Sequence, residues 1–210
     1  RTKLIFLCSP NNPLGTLVAQ SEIMCILQAR AGKSIVIVDE AYIEFSDTDS
    51  LASLVSEYDN LVVLRTLSKA LALAGARCGA VIASVELIQL LDGVLAPYAL
   101  SSPVIASAEL ALSDKQLTLA NRAMLRTVGE RERLRRELSD CKAVKKIWPS
   151  QANFLLVRFV CLDKVVRRLE DAGIAVRTYT DHSMLQECAR ITVSLEQDNN
   201  RLIRAIRSLD

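Results

Sequence analysis

The chain has 210 residues, 50% of them hydrophobic but only 4% aromatic, and its 26 lysines and arginines nearly balance 24 aspartates and glutamates. A chain this long and this apolar can bury one large or two small cores, which excludes a disordered segment. With a net charge of +2, the densest basic stretch, Arg131–Arg136, is broken by Glu132 and flanked by Glu130 and Glu137, so no stripe for nucleic-acid phosphates exists and no nucleic-acid partner is expected.

From Arg1 the chain enters an apolar strand within a few residues and with no signal peptide before it, and it reads as a piece cut from something longer. Short apolar runs bounded by turn residues follow at Leu4–Leu7, Ile35–Val38, Leu61–Leu64 and Ala80–Ala83, alternating with amphipathic stretches. That alternation predicts α/β architecture, a mostly parallel sheet flanked by helices. Val18–Ala31 has near-helical spacing and ends at Gly32, completing a βαβ unit. The connection from Leu64 to Ala80 is shorter and contains Gly75 and Gly79, which admits an antiparallel fourth strand. After Pro97 the texture changes to two helices, Pro103–Leu112 and Lys115–Leu138, which places a domain boundary near there. A smaller α+β unit then comprises Val144–Trp148, Phe154–Phe159, a helix Leu162–Ala172 closed by Gly173, Ile174–Arg177, Ile191–Val193 and a final helix from Glu196 to Leu209.

Uncharged apolar stretches such as Leu71–Ala76 and Val94–Ala99 fall far short of the roughly 20 residues that span a bilayer, so no membrane partner is expected. Six scattered cysteines without a Cys-x-x-Cys pair read as reduced, mostly buried thiols, which with the absent signals points to a cytoplasmic protein. The single histidine, His182, removes His-based metal clusters and a Ser-His-Asp relay, and no metal site is expected.

Ligands of open α/β sheets bind beyond the carboxyl ends of the strands. Those ends are polar here: Cys8-Ser9-Pro10-Asn11-Asn12-Pro13-Leu14-Gly15, then Asp39-Glu40-Ala41-Tyr42, then Arg65-Thr66-Leu67-Ser68-Lys69. Taken singly, each has a plainer reading. Asn11-Asn12-Pro13 suits a turn, Asp39 a helix cap, Lys69 a solvated amine and Arg77 half of an ion pair. Their spacing together outweighs those readings, and no Gly-rich dinucleotide or P-loop cradle competes.

The set Asn11-Asn12-Pro13-x-Gly15, Asp39-Glu40-Ala41-Tyr42, Thr66-Leu67-Ser68-Lys69-Ala70 and Ala74-Gly75-x-Arg77-x-Gly79 resembles the fold type I pyridoxal-phosphate aminotransferases. The order and separations match over essentially all 210 residues. Asp39–Phe45, Arg65–Ala74 and Ala96-Pro97-Tyr98 are most similar to the histidinol-phosphate aminotransferase branch. The resemblance implies that residues 1–97 are the later part of a cofactor-binding large domain and 98–210 a linking long helix with a C-terminal small domain. It implies a Schiff-base role for Lys69, whose amine must be free and so lowered from about 10.4 by burial and positive neighbours. Asp39 would pair with the pyridine nitrogen, Tyr42 and Asn12 with the ring oxygen, and Thr66, Ser68 and Arg77 with the cofactor phosphate. Arg190, opening a strand Arg190–Val193, matches the arginine for the substrate carboxylate, and Arg177 the one facing the substrate phosphate; a solvated strand-end arginine is the plainer reading of both. Asn153 also fits the pattern, without a catalytic role.

The implied reaction is ping-pong transamination of histidinol phosphate with 2-oxoglutarate by a homodimer, with a small-molecule amino donor and a keto-acid acceptor. The resemblance covers rather more than half of such an enzyme. A threonine-phosphate decarboxylase type of lyase, another amino-acid aminotransferase and a non-catalytic truncated remnant remain open alternatives.

Overall fold

The computed structural model describes residues 1–210 and divides into two compact units. The first comprises Arg1–Asn11 and Leu17–Arg122, the second Asn12–Thr16 and Ala123–Asp210.

In the first unit β1 (Leu4–Cys8), α1 (Gln20–Arg30), β2 (Ile35–Asp39), β3 (Leu61–Thr66) and β4 (Gly79–Ala83) are followed by α2 (Val85–Asp92) and α3 (Ser102–Ala111). The sheet order is β1-β2-β3-β4, with the first three parallel and β4 antiparallel to β3. Helix α1 supplies the crossover between β1 and β2, whereas the segment from β3 to β4 holds only a 3-10 turn, Ala74–Ala76, and returns antiparallel. Strand side chains alternate between faces. Val36, Val38, Leu61 and Val63 accordingly meet Ile23 and Leu27 of α1 in one buried cluster, while Leu4 and Phe6, on the other phase of β1, are 51% and 68% exposed. Helix α1 starts later than its apolar spacing suggests, because the Val18 N–H donates to Ser9 Oγ at 3.0 Å and Ala19 is extended.

The division between the units falls inside α4 (Asp114–Ser139). The boundary read from the sequence, 97/98, lies between α2 and α3. In the second unit β5 (Val144–Ile147), β6 (Phe154–Phe159), α5 (Leu162–Asp171), β7 (Arg177–Thr178), β8 (Cys188–Thr192) and α6 (Glu196–Arg207) follow, and the sheet runs β5-β6-β8-β7, antiparallel throughout. Leu155, Val157, Phe159 and Ile191 pack one face of it against Leu134 and Leu138 of α4, Val165 and Leu169 of α5, and Ile203 and Ile206 of α6.

Three expectations change. Ile174–Val176 forms no strand: the Ile174 N–H is used by Leu169 O at 2.8 Å to close α5, and only Arg177–Thr178 pairs with β8. Strand β8 begins at Cys188, so Arg190 is its central residue and does not open it. All six cysteines are free, but only Cys141 and Cys188 are buried and Cys25 is exposed, because Cys25 lies on the outer side of α1 from Ile23 and Leu27. No helix is long and apolar enough to cross a membrane.

Candidate active site

Three neighbouring strands of the first unit end together. Cys8 is in register with Asp39, and Asp39 with Leu64. The ladder runs on past β2, since Ser9 N–H donates to Asp39 O and Glu40 N–H to Leu64 O, both at 3.0 Å. Both neighbours therefore hold Asp39. Its Oδ1 accepts the Ala41 N–H at 3.0 Å, an Asx-type turn that ends the strand and leads into the 3-10 turn Ile43–Phe45, with Tyr42 buried at its start.

Beyond β3, Thr66 Oγ1 accepts the Ser68 N–H at 3.1 Å, and the next residue, Lys69, carries its ammonium 5.3 Å from the centre of the Tyr42 ring. Lys69 is exposed, so burial does not supply the environment expected for it from the sequence. Leu67 N–H donates to Cys78 O at 3.2 Å and Leu73 N–H to Leu67 O at 2.9 Å, folding the loop back on itself. A Cβ on Gly79 would stand 2.7 Å from Arg65 O, so only glycine lets β4 begin this close to β3. Arg77 adopts a left-handed conformation at φ 53°, is exposed, and donates through Nη1 to Ala74 O at 3.1 Å.

Beside these residues lies a network the sequence reading did not assign. Glu40 is buried, and its carboxylate accepts the Leu51 N–H at 2.8 Å and the Ser50 hydroxyl. Arg65 Nη1 stands 3.8 Å from Glu40 Oε2, while Nη2 donates to Glu44 Oε1 at 2.7 Å. Burial pushes the Glu40 carboxyl up, against the opposing pull of the Ser50 and Leu51 hydrogen bonds and the Arg65 charge. Glu40 and Arg65 both lie in the strand-end motifs, but local spacing carries no signal that two strand ends 25 residues apart share a guanidinium.

In the second unit, Gly15 at φ 78° lies so close to Ser150 that a Cβ would fall 2.2 Å from Ser150 Oγ, and Gln151 N–H donates to Gly15 O at 2.7 Å. This docking fixes the Asn12–Thr16 turn, and Asn12 Oδ1 accepts from Arg190 Nη1 at 2.8 Å. The Arg190 guanidinium stacks 5.0 Å from the Phe154 ring centre, and its Nε is buried without a hydrogen-bond partner. Arg190 stands in register with Leu156 on one side and Arg177 on the other. Like charges directly opposed on one sheet face cost stability, and the two guanidinium forks are suited to a doubly charged anion.

The structure thus gathers Asp39, Tyr42 and Lys69, with Thr66, Ser68 and Arg77 on the β3–β4 segment, in the first unit, and Asn12, Arg177 and Arg190 in the second. The first set contains a carboxylate, a phenol, an amine, two hydroxyls and a guanidinium. That chemistry fits a planar heteroaromatic aldehyde with a phosphate arm. No group of three or more His, Cys, Asp or Glu could hold a metal ion.

The family profile described as aminotransferase class I and II matches residues 1–206. A histidinol-phosphate aminotransferase of Xanthomonas euvesicatoria pv. vesicatoria is 46% identical over 205 residues, 98% of this chain and 56% of the relative, so the chain spans little more than half the length of that protein. Among solved structures, a histidinol-phosphate aminotransferase from Sinorhizobium meliloti in complex with pyridoxal-5'-phosphate superposes with a TM-score of 0.86 at 28% identity, over 99% of this chain and 58% of that one. A decarboxylase from Sulfurospirillum multivorans superposes with a TM-score of 0.87 at 26% identity, over 98% of this chain and 61% of that one.

Proposed function

The chain belongs to the class I and II aminotransferases, and from that premise we propose that it serves pyridoxal-phosphate-dependent transamination of histidinol phosphate with 2-oxoglutarate. The observation that carries the reading is Lys69 at 5.3 Å over the Tyr42 ring, with Asp39 at the end of the strand beside β3. The identity of 46% to a histidinol-phosphate aminotransferase supports the choice of substrate.

Pyridoxal phosphate, when bound, supplies an aldehyde that takes up amines and a ring that accepts the electrons left by a broken Cα–H bond. In the first unit Asp39 would hold the proton on the ring nitrogen, and the Tyr42 hydroxyl would donate to the ring oxygen. Ser68, Thr66 and Arg77 bind the cofactor phosphate, the hydroxyls as single donors and Arg77 as a planar fork. The Lys69 amine would be the base that takes the proton from the substrate Cα and holds it for return. In the second unit Arg190 and Arg177 bind the anionic end of each substrate, a phosphate or a carboxylate, and the Asn12 carboxamide orients the Arg190 guanidinium.

The similarity to the decarboxylase favours a lyase as the second reading, because a lyase would use the same residues to release carbon dioxide from Cα. The test is to incubate the full chain and cofactor with glutamate, then with imidazole acetol phosphate, and in a separate sample with an amino-acid phosphate such as threonine phosphate. The transaminase reading expects 2-oxoglutarate and then histidinol phosphate in equal amounts, both lost with Lys69→Ala; carbon dioxide from an amino-acid phosphate without amino transfer would replace it with the lyase.

A further inference from the structure

Glu40, Glu44 and Arg65 lie among the residues assigned above yet have no part in binding or proton transfer. Tyr42 sits in sequence between the two carboxylates, and Lys69 follows Arg65 by four residues along the chain. A single guanidinium therefore ties the segment that carries Asp39 and Tyr42 to the strand that leads to Lys69: Nη2 to Glu44 Oε1 at 2.7 Å and Nη1 facing Glu40 Oε2 at 3.8 Å. Glu40 is itself anchored from behind by the Leu51 N–H and the Ser50 hydroxyl, so it is a fixed point against which Arg65 is held.

The tie has features of a register device more than of a stabilising pair. The side chains of Glu40, Glu44 and Arg65 are 2%, 21% and 27% exposed, and Arg65 Nε and Glu44 Oε2 are buried without hydrogen-bond partners. Desolvated ion pairs contribute little net stability, because attraction is offset by lost hydration. What the guanidinium does supply is placement, one directional hydrogen bond to Glu44 and a charge contact to the fixed Glu40.

We infer that Arg65, clamped by Glu40 and Glu44, is a positioning residue that sets the Tyr42 ring against the Lys69 ammonium. The inference rests on the reading of Lys69 and Tyr42 given under the proposed function, but its test does not need the cofactor.

The full chain, without cofactor, is treated with a limiting amount of acetic anhydride, and acetylation of each lysine is followed by mass spectrometry. In Arg65→Gln and Glu44→Gln, Lys69 should become about two- to five-fold more reactive, the range that loss of an exposed cation–π contact allows. Lys115 and Lys164 serve as controls and should not change. Arg65→Lys, which keeps the charge but not the fork, should lie between wild type and Arg65→Gln, and the Arg65→Gln/Glu44→Gln pair should not add. Circular dichroism establishes that each variant is folded; should Arg65→Gln fail to fold, Glu44→Gln, at the more exposed carboxylate, carries the comparison. Unchanged Lys69 reactivity in a folded variant, or equal rises at all lysines, would overturn the clamp. Parallel samples with pyridoxal phosphate are reduced with borohydride: wild-type chain unlabelled at Lys69 would overturn the proposed function, while the acetylation ratios would still decide the clamp.

Discussion

The arginine pair of the second unit makes the sharpest residue-scale prediction. Arg190 is held by Asn12 and stacked on Phe154, so its fork is oriented before any ligand arrives. On the reaction proposed above, Arg190→Lys keeps the charge but loses the bidentate geometry, and the KM for histidinol phosphate should rise by about 10-fold, the equivalent of one charge-assisted hydrogen bond, with a smaller effect on kcat. Asn12→Ala should move KM in the same direction. Two carboxylates give opposite pH slopes. Burial holds Glu40 above its ordinary 4.5, so the folded chain retains that proton when the unfolded chain has lost it. Its contribution to stability is full below 4.5 and is lost as pH rises through the folded value. The hydrogen bond from Arg133 holds Glu130 below 4.5, so its contribution is present above 4.5 and is lost as pH falls through the lowered folded value. Urea unfolding across this range should show that Glu40→Gln removes the decline on the rising side and Glu130→Gln the decline on the falling side. Residue types at strand ends were legible in the sequence because motif spacing is local. The Glu40–Arg65 and Asn12–Arg190 partnerships were not, since each joins residues that only the folded chain brings together.

At the scale of elements, two glycines carry the geometry. Gly15→Ala meets Ser150 at 2.2 Å and must also hold φ 78°, so it should destabilise the chain by roughly 1–3 kcal/mol; Ser150→Gly removes the clashing hydroxyl together with its acceptance of the Ala152 N–H at 3.1 Å, so with Ser150→Gly as the reference Gly15→Ala should cost only the conformational part. Thermal unfolding of the single and double variants separates the two. Six of the eight strands, β1 to β6, were readable to within two residues, because apolar runs such as Ile35–Val38 are bounded by turn residues, whereas β8 starts three residues before the Ile191 read from the sequence. Ile174–Val176 misled because an apolar run fits either a strand or the closing contact of a helix, and here α5 claims its first N–H. Helix α2 has only short local start signals, Ser84, whose Oγ accepts the Leu87 N–H at 3.5 Å, and Glu86 in its first turn, and the apolar run around them does not separate helix from strand.

The whole molecule has two separate buried clusters, one around Leu27 and Val36, the other around Leu155 and Ile206. Chains with more than one core depart from two-state unfolding. Trp148 is the single tryptophan and belongs to the second unit, so its emission follows that core alone. Leu27→Ala, which should cost about 2–5 kcal/mol, is expected to lower the urea midpoint seen by circular dichroism while leaving the Trp148 midpoint in place. Coincident shifts of both signals would mean that the two cores unfold as one. The α/β class and the change of texture after the first sheet were visible in the order of elements, whereas the division inside α4 was not, because a continuous helical pattern carries no mark of which core its two ends serve. The proposed role of Lys69 as the amine that engages the cofactor is checked by reducing the chain with borohydride in the presence of pyridoxal phosphate and mapping the labelled peptides. A single labelled peptide containing Lys69, absent from Lys69→Ala, is the expected result; label spread over other lysines, or none at Lys69, would contradict it.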